Sequence, residues 1–356
     1  MPYKKITSQI TQVLFNPNSS WEALSTAVQA MHSLFSEVSG IQGAIKNRPE
    51  GFETQLKSGL ALSPGYAADC TLDTRRTVQY IRALDLAIQQ LKTDSPGRRI
   101  NILYAGTGPF APFAIAMTER YPKEEIQFTA LDIHLQSLDA LKKIVSTLKL
   151  DEYFHAYIQA DATEYKHSGP EPLHIAITET MHRTVSREPH AAITLNLLPQ
   201  LTDGGIFIPE RVTVSASMSN TEKEVAYLQG KLDDAEIRDV RIEMGTVFEL
   251  SQSTSYQYTE NKTALVCSTV TIPEGAEKNN EMVLSTHIQL FGPICLKEKE
   301  SGITHPYFAR DIDPPKVGDK VQFFFNLEGF PQLKYQKLDS GDDIYSKLEK
   351  AAMSIQ

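Results

Sequence analysis

The sequence predicts an α/β chain: a doubly wound parallel sheet, a β-barrel-like domain after it, and a helical region in front. Three observations predict it. From Ile100 onward, short apolar runs alternate with amphipathic helical stretches, the rhythm of a parallel sheet covered by helices on both faces. After about Pro209 that rhythm gives way to strand-like segments separated by polar or Gly/Pro-containing turns. In the first stretch of the chain, apolar positions recur at helical spacing. The expected division is a helical N-terminal region (1–60), a sheet domain (61–209), a β-barrel-like domain (210–340) and a C-terminal tail (341–356).

The elements follow in order. "SWEALSTAVQAMHSLFSEV" carries the helical pattern, and Ser19 with Glu22 three residues on reads as a capping box at its start. "LSPGYAADCTLDTRRTVQYIRALDLAIQQL" reads as a turn and then a long helix. "INILYA" is a strand, "GTGPFAP" a turn, and "FAIAMTERY" a helix that tolerates Pro112 in its first turn. "IQFTALDIH", "FHAYIQAD" and "PLHIAITE" read as further strands, with "LQSLDALKKIVSTLKL" helical between the first two. "PHAAITLNLLPQL" reads as a helix stopped by Gly204-Gly205, and "IFIPE" as a fifth strand. Beyond it "RVTVSASM", "VFELSQSTSYQYT", "TALVCSTVTI", "MVLSTHIQLFGPICL" and "DKVQFFFNL" read as strands, with one helical interlude over about 222–239.

Bulk properties narrow the class. The 356 residues are 41% hydrophobic and 22% charged, with a net charge of -9, which argues against broad nucleic-acid binding and favours cationic partners. Cys70, Cys267 and Cys295 lie far apart without metal-ligand spacing. They suit a reducing compartment and suggest neither a disulfide framework nor a metal site. "MPYKKITSQITQVLF" lacks the apolar core of a signal peptide, and no run approaches the roughly 18 apolar residues of a membrane span. The expectation is a cytoplasmic protein without membrane contact.

Ligands of open parallel sheets bind beyond the carboxyl ends of the strands. Gly106 and Gly108 follow the first strand there, where small residues let backbone N–H groups approach a ligand. Asp132 ends the second strand, where a carboxylate can accept from ribose hydroxyls, and Asp161 ends the third, placed for an adenine amino group. Singly each residue is equally at home as an ordinary turn or cap; the ordered set of three points to a nucleoside. Dinucleotide sites carry a third glycine for the pyrophosphate, whereas Pro109 and Phe110 follow Gly108 here. S-adenosylmethionine (SAM) has no pyrophosphate and fits better than NAD.

"DTRRTVQY" places Asp73, Arg76, Thr77 and Tyr80 in an Asp-x-x-Arg-Thr-x-x-Tyr pattern, and Glu179 and Glu188 stand nine residues apart beyond the fourth strand, with Met181 between them. With "LLPQLTDGGIFIPERVTV" and "STHIQLF", these motifs resemble class I SAM-dependent methyltransferases, and within them the protein arginine methyltransferases, over about 72–338. The resemblance implies a Rossmann-like SAM-binding domain, with Arg76 gripping the cofactor's methionine carboxylate and Glu179 also at the cofactor. It implies Glu179 and Glu188 as the catalytic pair, and His287, of the family's Thr-His-Trp loop, as proton acceptor or support. The sequence departs from the family at Tyr104, where an acidic residue is usual, at the shortened glycine turn, and at Ile288, in place of the loop tryptophan. Between the glutamates the family's glycine and aromatics are replaced by "HRTVSR".

Those departures leave the acceptor open. A guanidinium needs two carboxylates to hold its N–H groups and draw charge from the attacking nitrogen. A carboxylate acceptor, such as a peptide C-terminus, would instead use His182, Arg183 or Arg187. A small molecule is a third option, since a fold does not name its substrate; the "ALSPGYAADCTLDTRRT" segment is similar to bacterial peptide-tailoring relatives. A nicotinamide oxidoreductase and a non-catalytic SAM-binding protein are the competing classes. The family dimerises through an arm near the barrel, so a homodimer is an open expectation, with the 222–239 interlude as a shortened arm or a plain connection.

Overall fold

Helices α1 (Pro2–Phe15) and α2 (Trp21–Ser39) open the chain and pack their apolar stripes on the sheet domain. The cap of α2 is Ser20, whose side chain accepts from the Ala23 N–H. Ser19, the cap expected from sequence, instead donates to the Val13 carbonyl at 2.8 Å. The structure, a computed structural model, describes residues 2–42, 53–169, 171–255, 264–276, 279, 281–309 and 316–338. The C-terminal tail expected at 341–356 lies outside the described residues.

Within the region expected to be helical, the chain forms an antiparallel hairpin of β1 (Thr54–Leu56) and β2 (Gly59–Ala61). Its signal in the sequence is the Ser58-Gly59 pair, a turn dipeptide. The turn expected after it contains a helix, α3 (Pro64–Cys70), with Ser63 as cap and proline in its first turn. The long helix is α4 (Thr74–Asp94), capped by the Asp73 side chain, which accepts from the Arg76 N–H.

The sheet strands are β3 (Ile100–Ala105), β4 (Ile126–Asp132), β5 (Phe154–Gln159), β6 (Ile175–Thr178) and β7 (Ile206–Ile208). Between them run α5 (Pro112–Thr118), α6 (Leu135–Leu148) and α7 (His190–Leu197). All pairings are parallel in the order β5-β4-β3-β6-β7. Helix α7 breaks down before Pro199, which lacks an N–H, rather than at the glycines. Strand alternation sends Ile102 and Tyr104 to the face covered by α2, α4, α5 and α6, and Leu103 and Ala105 to the face covered by α7. β6 is buried on both faces, whereas the edge strand β5 has exposed His155 and Gln159 among its apolar residues.

The second domain holds β8 (Arg211–Ser219), α8 (Thr221–Leu228), α9 (Asp234–Val240), β9 (Ile242–Ser251), β10 (Ala264–Thr271), β11 (Glu281–Phe291), β12 (Ile294–Leu296), β13 (Tyr307–Ala309), β14 (Lys320–Asn326) and β15 (Gln332–Leu338). They form two antiparallel sheets, β12-β11-β8-β9 with β13 beside β11, and β10-β14-β15. Phe248 stacks on Phe325 with ring centroids 4.9 Å apart and joins the sheets into a barrel-like unit. The segment read as one strand, "MVLSTHIQLFGPICL", turns at Gly292-Pro293 into two.

The helical interlude is a clamped connection. Arg241 makes a bidentate pair with the fully buried Glu224, both N–O distances 2.7 Å, and reaches Glu298 at 2.9 Å. Helices α8 and α9 are thereby tied to their own barrel. Removing one partner leaves an uncompensated buried charge, so Glu224→Leu is expected to destabilise the protein by about 3–5 kcal/mol. A lower urea midpoint at unchanged m-value checks it.

Candidate active site

The carboxyl ends of β3, β4, β5 and β6 open onto one cleft enclosing about 990 Å³, its solvent-filled mouth included. Gly106 and Gly108 line it in the left-handed region, with φ of 71° and 60°. A Cβ on Gly106 would lie 2.6 Å from Thr180 Cγ2, so only glycine fits this turn. The Gly108 N–H donates to Asp132 Oδ2 at 2.8 Å, and the His134 N–H donates to Oδ1 at 2.9 Å. Asp132 thus ties the glycine turn to the start of α6 while facing the cleft. Burial raises its pKa and the backbone N–H donors work against that shift. Asp161 also lines the cleft, but its Oδ1 accepts from the Thr163 N–H and hydroxyl at 2.8 and 2.7 Å, the local turn role weighed above.

At the end of β6, Glu179 Oε2 meets Arg76 Nη1 at 3.1 Å, with side chains 11% and 9% exposed. Arg76 Nη2 donates to the Cys70 carbonyl at 2.6 Å. Burial works against the Arg76 charge, but Glu179, Cys70 and Asp73 outweigh it, and its pKa rises. Burial likewise lifts Glu179, with Arg76 pulling the other way. Asp73 Oδ2 accepts from the Ser301 hydroxyl at 2.6 Å and the Gly302 N–H at 2.9 Å. The cap of α4 therefore also joins this helix to the barrel domain, a role the motif alone did not reveal.

Glu188 lines the same cleft. Burial first, and Glu179 second, push its carboxyl up to about 8, against Arg76 and Arg187. The loop joining the two glutamates is strained: Thr184, Val185 and Arg187 have φ of 56°, 60° and 68°. Such conformations cost on the order of 1–3 kcal/mol each and persist only where surroundings impose them. The Thr184 N–H donates to Thr286 Oγ1 of β11 at 3.2 Å, and the Arg187 N–H to the Pro331 carbonyl at 2.7 Å.

Met181 is buried and lines the cleft, whereas His182, Arg183 and Arg187 do not line it. Arg187 is exposed; His182 is half-buried, and burial with the two arginines lowers its pKa to about 4, leaving it neutral near pH 7. His287, expected beside the glutamates, lies apart from the cleft. Thr286 faces the glutamate loop, so the alternation of β11 turns His287 to the opposite face, near Lys297, Arg211 and Glu300. It is not among the cleft residues. Among the described residues, no His, Cys, Asp and Glu group could hold a metal ion, and no helix is long and apolar enough to cross a membrane.

No family model and no curated protein matches the sequence. Among solved structures, the chain is similar to the Trypanosoma brucei PRMT1 enzyme-prozyme heterotetrameric complex with AdoHcy, at 12% identity and a TM-score of 0.50, covering 77% of this chain and 98% of that one. PRMT6 aligns at 12% identity and a TM-score of 0.48, over 72% and 95% of the two chains. Arabidopsis thaliana protein arginine methyltransferase 10 aligns at 12% and 0.49, over 72% and 86%. At such identity the first likeness establishes a shared fold, and the fold alone.

The Arg76–Glu179 pair yields a stability test. Arg76→Met is expected to destabilise the protein by about 3–5 kcal/mol, because Glu179 is left buried without its partner. The unpaired carboxyl's pKa rises further, so the loss grows as pH rises, and Arg76→Met/Glu179→Gln recovers most of it. Thermal melts of the three proteins at pH 6 and 8 check this.

Proposed function

We propose that this chain is a SAM-dependent methyltransferase whose acceptor is a nitrogen of a peptide or protein, a guanidinium foremost. One observation carries the acceptor reading. Glu179 and Glu188 both line the cleft, while the cations between them in sequence, Arg183 and Arg187, are absent from its lining. A carboxylate acceptor would face these two acids with Arg76 already paired to one of them.

The residues suit the cofactor. Glu179 Oε1 and Thr107 Oγ1 are buried in the cleft wall without a hydrogen-bond partner, polar atoms that a ligand would satisfy. Arg76 would hold the methionine carboxylate. Asp132 accepts two backbone bonds and still has lone pairs for ribose hydroxyls, and Asp161 would take the adenine amine. Leu56, Leu60 and Phe110 supply apolar wall. When bound, SAM supplies an electrophilic methyl on a positively charged sulfur.

The remaining chemistry belongs to the chain. Glu179 and Glu188 accept N–H bonds from the acceptor, orient one nitrogen and draw positive charge to the others. A carboxylate lifted toward neutrality is a better proton acceptor than an ordinary one, which suits Glu188 for taking the proton released after transfer. His287 has no part in this reading.

Radiolabelled SAM with peptides bearing internal arginine, internal lysine or only a free C-terminal carboxylate tests the acceptor. Base-stable label on the arginine peptide is expected; base-labile label on the third would overturn the reading. The pH dependence tests Glu188. Turnover is expected to rise as pH rises through about 8, and Glu188→Gln to lose about 10²–10⁴-fold in kcat together with that rise. Stability has the opposite sign. The folded value lies above the ordinary 4.5, so the contribution of Glu188 is present below 4.5 and lost as pH climbs toward 8. Melting curves should show Glu188→Gln gaining on the wild type across that window.

A further inference from the structure

The hairpin β1–β2 precedes every motif that carries the family resemblance, yet it lines the cleft and meets the glutamate loop. Leu56, Leu60 and Ala61 line the cleft. The Leu60 N–H donates to the Arg187 carbonyl at 2.8 Å, and the Arg187 N–H donates to the Pro331 carbonyl at 2.7 Å. Hairpin, glutamate loop and barrel turn are therefore joined by consecutive backbone bonds through the residue next to Glu188. Arg187 is also one of the loop's left-handed residues.

Gly59 sits at this junction with φ of 130°. A Cβ there would lie 2.8 Å from the Arg187 oxygen, 3.0 Å from the Glu188 carbonyl carbon and 3.0 Å from Pro331 Cγ. Two of those atoms are backbone and cannot swing away. The other end of the hairpin is tied to the barrel turn. Gln55 Nε2 donates to the Gly329 carbonyl at 2.9 Å, the Gly329 N–H donates to the Lys57 carbonyl at 2.7 Å, and Lys57 pairs with Glu328 at 3.0 Å. Gln55 Nε2 also reaches the Leu56 and Gly59 carbonyls at 2.9 and 3.3 Å.

We infer that the hairpin is a clasp and Gly59 a positioning residue: together they hold the backbone of Glu188 against the barrel and so set its carboxylate over the acceptor. This rests on the methyltransferase reading, with Glu188 at the acceptor. The clasp itself is independent of that reading, because it concerns only which contacts keep the strained loop in place.

Hydrogen–deuterium exchange on the full chain tests the clasp, and kinetics tests its purpose. In Gly59→Ala, amides over 181–188 are expected to exchange about tenfold faster, with the β3, β4 and β6 amides unchanged. Alanine is strained at that φ, so Gln55→Ala, an exposed position outside the cleft, serves as the second variant and is expected to move the same amides. S-adenosylhomocysteine affinity by calorimetry should stay within about threefold, while kcat on the arginine peptide falls about 10–100-fold at unchanged cofactor KM. Unchanged exchange over 181–188 in both variants overturns the clasp. Equal losses in affinity and turnover overturn the positioning role and leave the hairpin as cofactor wall. A wild type that binds no S-adenosylhomocysteine defeats the methyltransferase reading while leaving the exchange result to decide the clasp.

Discussion

The buried pair of Arg76 and Glu179 is the interaction on which the rest of the site depends. It joins α4 to the carboxyl end of β6; Glu179 helps hold Arg76 charged, while Arg76 opposes the upward shift that burial imposes on Glu179. The sheet alone would place Glu179 at a strand's end. The ion pair decides where along the cleft wall the carboxylate is held. One Glu179 oxygen stays without a partner, so the pair is not closed upon itself.

The second carboxylate is held differently. Glu188 stands at the far end of a loop with three left-handed, non-glycine residues, two of them β-branched. Local bonds among residues 182–188 shape its turns, and neighbours anchor them. Thr286 and Pro331 come from the barrel domain and Leu60 from the N-terminal hairpin. The barrel is therefore part of the site's geometry as well as a wall beside it, and Asp73 bonding to Ser301 and Gly302 ties the domains a second time.

This division explains what the sequence revealed. The parallel strands were legible because their apolar stretches are short and bounded by turns and helical patterns. Gly106, Asp132 and Glu179 were legible because strand ends fix their positions, and Arg76 because the "DTRRTVQY" motif sets it apart from the other arginines of its helix. Contacts between distant segments were not. Hairpin β1–β2 is three residues per strand and carries no usable period, and nothing in "TQLKSGLA" says that Gly59 abuts Arg187. The direction of His287 was not legible because it depends on strand register: with Thr286 turned toward the loop, its neighbour faces away. The charges in "HRTVSR" left the acceptor open, because nothing in that stretch says that the loop path keeps Arg183 and Arg187 out of the cleft lining.

In the proposed function Arg76 anchors the cofactor's carboxylate beside Glu179. This anchoring is tested most directly by calorimetry with SAM and its decarboxylated form, on wild type and Arg76→Met. A charge-assisted contact contributes about 1.5–3 kcal/mol, so the wild type should bind intact SAM roughly 10–100-fold more tightly than the decarboxylated form. In Arg76→Met that preference should vanish. Equal affinity of the wild type for both forms would contradict the account.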